Sequence, residues 1–198
     1  MAILSREEFD AIEFNAALTG DHHSAAERMT LLAATGVQTE TMPRAEAFVR
    51  AGEQWLLADE PEAAIAGFRR ALADGGPVVV DPRVPLCRGL FAMGRRHEAY
   101  ALIDRLKAEG RSDPRACDMI MEMLVEQSDL LGALDWADAG VELILQGSGQ
   151  KPLPGTESTP GSEPADSYAG LNELLRLRYR IRNDLRLPED EYDRMLST

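Results

Sequence analysis

The sequence predicts an all-α chain of repeating helical hairpins, followed by a tether and a C-terminal helix. Three observations point there. Up to residue 145 the chain is rich in Ala, Leu, Glu and Arg, with apolar residues three and four apart, as one face of a helix requires. β-branched runs are nearly missing, the exception being Val78-Val79-Val80 between Gly75-Gly76-Pro77 and Asp81-Pro82. Finally, Ala25, Ala64, Ala99 and Ala133 each follow a short turn, at separations of 39, 35 and 34 residues.

The elements follow from that register. In the first hairpin (about 6–39), Phe9 and Ala16 precede the turn Gly20-Asp21, and Ala25, Met29 and Leu32 follow it. The second (45–78) has Phe48, Gly52 and Trp55, then Asp59-Glu60, with Pro61 favouring a helix start, and then Ala64, Phe68, Ala71 and Pro77. A third (80–113) opens near Asp81-Pro82, where Pro85 blurs the start, and runs through Leu90, Gly94-Arg95, Ala99, Ile103 and Leu106. Asp113-Pro114 caps the fourth (114–145), which contains Leu124, Ser128-Asp129, Ala133, Ala137 beside Trp136, and Gly140. Residues 146–167 are rich in Gly, Ser, Thr and Pro and too poor in apolar side chains to offset ordering, so a flexible linker is expected, with a reach of about 25 Å. The tail (168–198) begins with a helix from Tyr168 to Leu187 whose apolar stripe is Leu171, Leu174, Leu177 or Arg178, Ile181 and Leu185. Pro188 stops it before the acidic turn Glu189 to Asp193.

The spacing and the small-then-large pattern resemble the tetratricopeptide repeat, a helix–turn–helix of about 34 residues. The second copy carries the resemblance best, through Phe48, Gly52, Trp55, Ala64, Phe68, Ala71 and Pro77; the others are degenerate. The resemblance implies a right-handed superhelix of stacked hairpins over residues 1–145, with a concave groove lined by each first helix. Carried over residue by residue, the groove positions are Glu7, Asp10, Phe14, Ala17 and Leu18, then Glu46, Val49, Glu53, Leu56 and Leu57. The third hairpin adds Asp81, Val84, Arg88, Phe91 and Ala92, and the fourth Arg115, Asp118, Glu122, Val125 and Glu126. Family members that bind chaperone tails hold a terminal carboxylate with a basic and amide clamp. Val49 and Glu53 stand at clamp-type places here, which implies a different ligand. Asp81-Pro82-Arg83 and the tail from Arg178 to Leu185 also resemble, more loosely, actinobacterial tetratricopeptide proteins related to SEC-C motif proteins, although the zinc motif itself is missing.

Composition narrows the function classes. The 198-residue chain carries 21 Lys+Arg against 34 Asp+Glu, a net charge of −13, which opposes whole-chain binding to nucleic acid or anionic membrane. No apolar run approaches the roughly 20 residues of a membrane span, and the N-terminus does not read as a secretory signal, so a soluble cytoplasmic protein is expected. Cys87 and Cys117 are expected to be buried small hydrophobes, and His22, His23 and His97 to be surface turn residues. There is no phosphate-binding glycine loop and no assembled nucleophile, base and oxyanion site, so no catalytic residue, cofactor or metal is expected.

The reading that remains is a non-catalytic scaffold or adaptor. Its partner would be a basic or amphipathic peptide or helix on an acidic groove, through Glu46, Val49, Glu53, Leu56, Arg88, Phe91, Asp118, Glu122 and Glu126. The same acidity also fits a solvated face. Asp113 to Glu142 carries eight acidic residues and one basic one, whereas Arg176, Arg178, Arg180, Arg182 and Arg186 crowd the tail helix. The tail is therefore expected to dock, in cis or across a homodimer, either capping the last repeat or lying in the groove as a gate. Nucleic-acid contact by this arginine helix is the lesser alternative.

Overall fold

The computed structural model describes residues 3–110, 113–147 and 165–196. Among these residues it has ten α-helices and no strand, only an isolated bridge between Ile3 and Val37. The fold is all-α and repeat-like, and none of the described helices is long and apolar enough to cross a membrane. The chain forms two compact units, Met1–Ala108 and Glu109–Thr198, so the fourth hairpin groups with the tail.

The first unit contains α1 (Arg6–Thr19), α2 (His22–Thr35), α3 (Arg44–Leu57), α4 (Pro61–Asp74), α5 (Arg83–Ala92) and α6 (Arg96–Glu109, its last residue across the boundary). Local chemistry sets the helix limits. The Asp21 side chain accepts from the Ser24 N–H at 3.1 Å to cap α2, and Pro61 starts α4 where a missing N–H is harmless. The first helices of hairpins two and three end in the same corner. Asp59 and Gly94 adopt left-handed backbone, and the residues after them, Glu60 and Arg95, donate to Trp55 O and Leu90 O at 2.9 and 2.8 Å. These bonds satisfy carbonyls that a helix C-terminus would leave bare. Gly20 is left-handed at the first corner, but only the simpler bond from its N–H to Ala16 O forms there.

Small residues let the helices cross closely. Gly52 on α3 faces Phe68 on α4, and a Cβ at Gly52 would lie 2.5 Å from the Phe68 ring. Gly67 meets the Phe48 carbonyl and Gly52 from the other side, and Gly89 on α5 receives Ile65. Ala25, Ala64 and Ala99 are buried at the crossings, with Met29, Phe68 and Ile103 filling the adjoining space. Trp55 reaches across to α2, donating from Nε1 to Thr30 Oγ1 at 2.9 Å.

The second unit contains α7 (Pro114–Glu126), α8 (Leu130–Gly147), α9 (Ala165–Asp184) and α10 (Glu191–Met195). Its hairpin corner repeats the pattern, with Ser128 left-handed and the Asp129 N–H bonded to Leu124 O at 2.9 Å. Helix α8 extends to Gly147 and α9 begins at Ala165, so the expected linker loses residues at both ends; positions 148–164 lie outside the described residues. Helix α9 packs on α8. Leu171, Leu174, Leu175 and Ile181 are buried, and a Cβ on Gly140 would stand 2.9 Å from Leu174 and 3.2 Å from Cys117. Leu174 thus sits in a notch that α7 and α8 leave open.

Arg178, not Leu177, completes the buried stripe, with only 2% of its surface exposed. Carboxylates compensate its charge. Nε donates to Asp138 on α8 at 2.6 Å, and the terminal nitrogens donate to Asp190 and Asp193 at the start of α10. Arg182 joins through Asp193 at 2.9 Å. Burial opposes ionisation of Asp190, but hydrogen bonds from Arg178 and the Asp193 N–H, with the two guanidinium charges, hold its carboxyl down at about 2. Of the five tail arginines expected to dock, Arg178 and Arg182 make these bonds, whereas Arg176, Arg180 and Arg186 are exposed.

Two substitutions test this packing. Gly52→Ala gains about 1 kcal/mol of helix propensity but forces a methyl into Phe68, so a net loss of about 1–3 kcal/mol is expected in chemical denaturation. Arg178→Ala deprives Asp138 of its guanidinium and leaves Asp190 and Asp193 with Arg182 alone; a loss of about 3 kcal/mol is expected, with faster hydrogen exchange in α9 and α10.

Candidate functional site

Several of the sequence-predicted residues lie on α1 and α3, the first helices of hairpins one and two. Short turns make α2 antiparallel to both neighbours: Arg44 at the start of α3 donates to the Gly36 carbonyl after α2, and His22 at the start of α2 bonds Gln54 near the end of α3. Helices α1 and α3 therefore run parallel. Arg50 joins them, with Nε and Nη2 donating to Glu13 at 2.8 and 2.6 Å and Nη2 to Asp10 at 2.6 Å, over the Phe9 ring. Burial works against the Arg50 charge, yet Glu13 and Asp10 outweigh it and raise the guanidinium further. Counting along both helices from this clamp at 1.5 Å per residue brings Glu53 near the level of Phe14, and Leu57 near Leu18.

Phe14, Leu18 and Leu57 stand 68%, 70% and 61% exposed, a large allotment for apolar residues on neighbouring helices. Glu53, one turn before Leu57 on α3, is half-buried. No hydrogen bond or ion pair from a described residue reaches its carboxylate, because Arg50 is committed to α1. Burial first, then the charges of Glu13 and Glu46, push it up to about 7, against a partial pull from Arg50 and Arg88. At neutral pH this carboxyl is poised between its two states.

Other expected groove residues serve the fold. Val49 is 3% exposed and belongs to the core. Glu46 is 9% exposed, its Oε2 accepting the Val79 N–H at 2.9 Å and pinning the Pro77–Val80 segment to α3. Neither lines an open surface, because that segment covers the start of α3. Leu56 is half-buried and lies 3.7 Å from the position of a Gly89 Cβ, and Phe91 meets Tyr100 edge-to-face with ring centroids 5.4 Å apart. Arg88 is half-buried and adds positive charge near Glu53. In the second unit Glu122 and Glu126 are exposed on α7; Asp118 is half-buried, its carboxyl raised by burial, Glu122 and Glu173 of α9.

Reasoning on the sequence missed the Arg50 clamp. Asp10 and Glu13 one turn apart on α1 were a signal, but the pairing spans 37 to 40 residues and rests on parallel packing. It also undervalued the histidines: His22 bonds Gln54 at 2.9 Å, and His23 packs edge-to-face on Trp55 at 5.1 Å. Cys87 and Cys117 are both buried, and burial first pushes the Cys87 thiol up to about 12, far from a usable thiolate. Among the described residues, no cluster of His, Cys, Asp and Glu could hold a metal ion. Comparison with known proteins finds no matching family model, curated protein or solved structure.

The pH dependence of Glu53 gives a direct check. Its folded-state value is raised from an ordinary 4.5 to about 7, so the stability it lends is complete below 4.5 and lost as pH rises through 7. Glu53→Gln removes that decline. The variant is expected to be more stable than the parent at pH 8, by on the order of 2 kcal/mol, and nearly equal to it at pH 4.5. Thermal melts at both values read the difference.

Proposed function

We propose that the chain is a non-catalytic interaction module, a tetratricopeptide-like scaffold or adaptor. More particularly, the exposed face of α1 and α3 holds a basic or amphipathic segment of another protein. The observation that carries this reading is the exposure of Phe14, Leu18 and Leu57 on the two parallel helices that Arg50 joins, together with Glu53 on α3, a half-buried carboxylate with no hydrogen bond or ion pair of its own among the described residues. A protein built for stability alone would gain from glutamine there. Apolar anchors would supply affinity; Asp10 and Glu7, both exposed, would add steering toward a cationic partner. The buried thiols and the dispersed histidines favour a binding role over catalysis.

The tail reading favoured here is a cap. Helix α9 covers the notch on α7 and α8 that a further hairpin would otherwise fill, and Arg178 is spent on Asp138, Asp190 and Asp193. The same commitment of Arg178 and Arg182 argues against nucleic-acid contact by this helix and against a tail that readily leaves to gate a groove.

Fluorescence anisotropy with a labelled helical peptide bearing Leu and Arg four residues apart tests the binding role. Phe14→Ala and Leu57→Ala remove exposed side chains and should leave stability within about 0.5 kcal/mol. Each is expected to weaken the peptide about tenfold, the loss of a contact worth more than 1 kcal/mol. Equal affinity in parent and variants would refute this assignment.

A further inference from the structure

Glu53 stands half-buried on α3 with no hydrogen bond or ion pair of its own among the described residues. Every neighbouring element contributes to its setting. From α1 come Asp10 and Glu13, both bound to the single Arg50 guanidinium, which offsets one of their two negative charges and leaves Glu13 to repel a charge on Glu53. From α3 itself come Glu46, whose carboxylate is occupied by the Val79 N–H, and Arg50, whose nitrogens point to α1. From α5 comes Arg88, close enough to favour the charge but outweighed. Helices α2 and α4 pack on other sides of α3, where His22 meets Gln54 and Arg70 lies over Phe48, 4.1 Å from its ring centre. Glu53 therefore has two close competitors for cationic compensation, keeps part of its surface in solvent, and lies one turn before the exposed Leu57 on α3. A guanidinium or ammonium arriving from outside would be its first direct partner.

Building on the peptide-binding reading above, we propose that this face takes up a cationic side chain of its partner at Glu53 with release of a proton from that carboxyl, so that binding strengthens as pH rises through neutrality. The balance is simple: the carboxyl O–H bond breaks, the proton passes to solvent, and the carboxylate accepts hydrogen bonds from the partner's Arg or Lys. Apolar contacts to Phe14, Leu18 and Leu57 exclude water from the new ion pair and strengthen it. The binding-competent ionised form is a small fraction of molecules at pH 6 and most of them at pH 8. Apparent affinity should therefore change about tenfold over that interval.

Isothermal titration of the full chain with the same Leu/Arg peptide tests this, at pH 6, 7 and 8 and in two buffers of different ionisation enthalpy. The expected result is about tenfold tighter binding at pH 8 than at pH 6, with release of on the order of half a proton per peptide at pH 7. Glu53→Gln should bind with no proton release and a flat pH profile. Phe14→Ala should weaken binding at both extremes while keeping their ratio. The measurement on the parent chain stands even if a variant folds poorly. Peptide binding that is independent of pH, or proton release that persists in Glu53→Gln, overturns the inference and leaves the peptide-binding reading intact. No binding by the parent chain at pH 8 overturns both.

Discussion

Close approach of helices at a few small residues is the constraint on which everything else here depends. With no Cβ at Gly52, α3 lies against Phe68; with none at Gly140, α8 admits Leu174. A helix seated so deeply on one neighbour commits that side of its surface to packing. Its opposite side then has no partner within the hairpin. Phe14 and Leu18 on α1 and Leu57 on α3 stay exposed, while the crossings bury Ala25, Ala64 and Phe68.

Arginine placement separates the two units in character. In the second, Arg178 is buried among three carboxylates, and the arrangement ties α8, α9 and α10 together at fixed geometry. Desolvation weighs heavily on such a group, and its value lies in holding one arrangement in which every partner is satisfied. In the first, Arg50 performs a comparable service for α1 and α3 but leaves Glu53 out. In the second unit the buried guanidinium is fully matched by carboxylates, whereas in the first a half-buried carboxyl is left without a cation bonded to it.

The hairpins were readable because small and large residues recur at 34 to 39 residue intervals, and periodicity of that kind survives without knowledge of tertiary contacts. The turns at Asp59 and Ser128 were readable in position but not in conformation, since neither residue announces a left-handed backbone as glycine does. Leu177 and Arg178 were indistinguishable on the tail helix because the choice rests on Asp138, Asp190 and Asp193, brought in from other elements. Glu46 and Val49 were assigned to a groove by register alone, and register does not reveal that the Pro77–Val80 segment folds back over the start of α3. The setting of Glu53 was not legible, because it comes from Glu13 and a committed Arg50, both tertiary features.

The most direct test of a binding face on α1 and α3 is a methyl NMR titration with the Leu/Arg peptide. Leu18 and Leu57 lie on that face, while Leu31 and Leu72 are exposed on α2 and α4 and serve as internal controls. Shifts concentrated at Leu18 and Leu57, with Leu31 and Leu72 unmoved, are the predicted result. Shifts centred on Leu31 and Leu72 instead, or none at any of the four, would contradict the account.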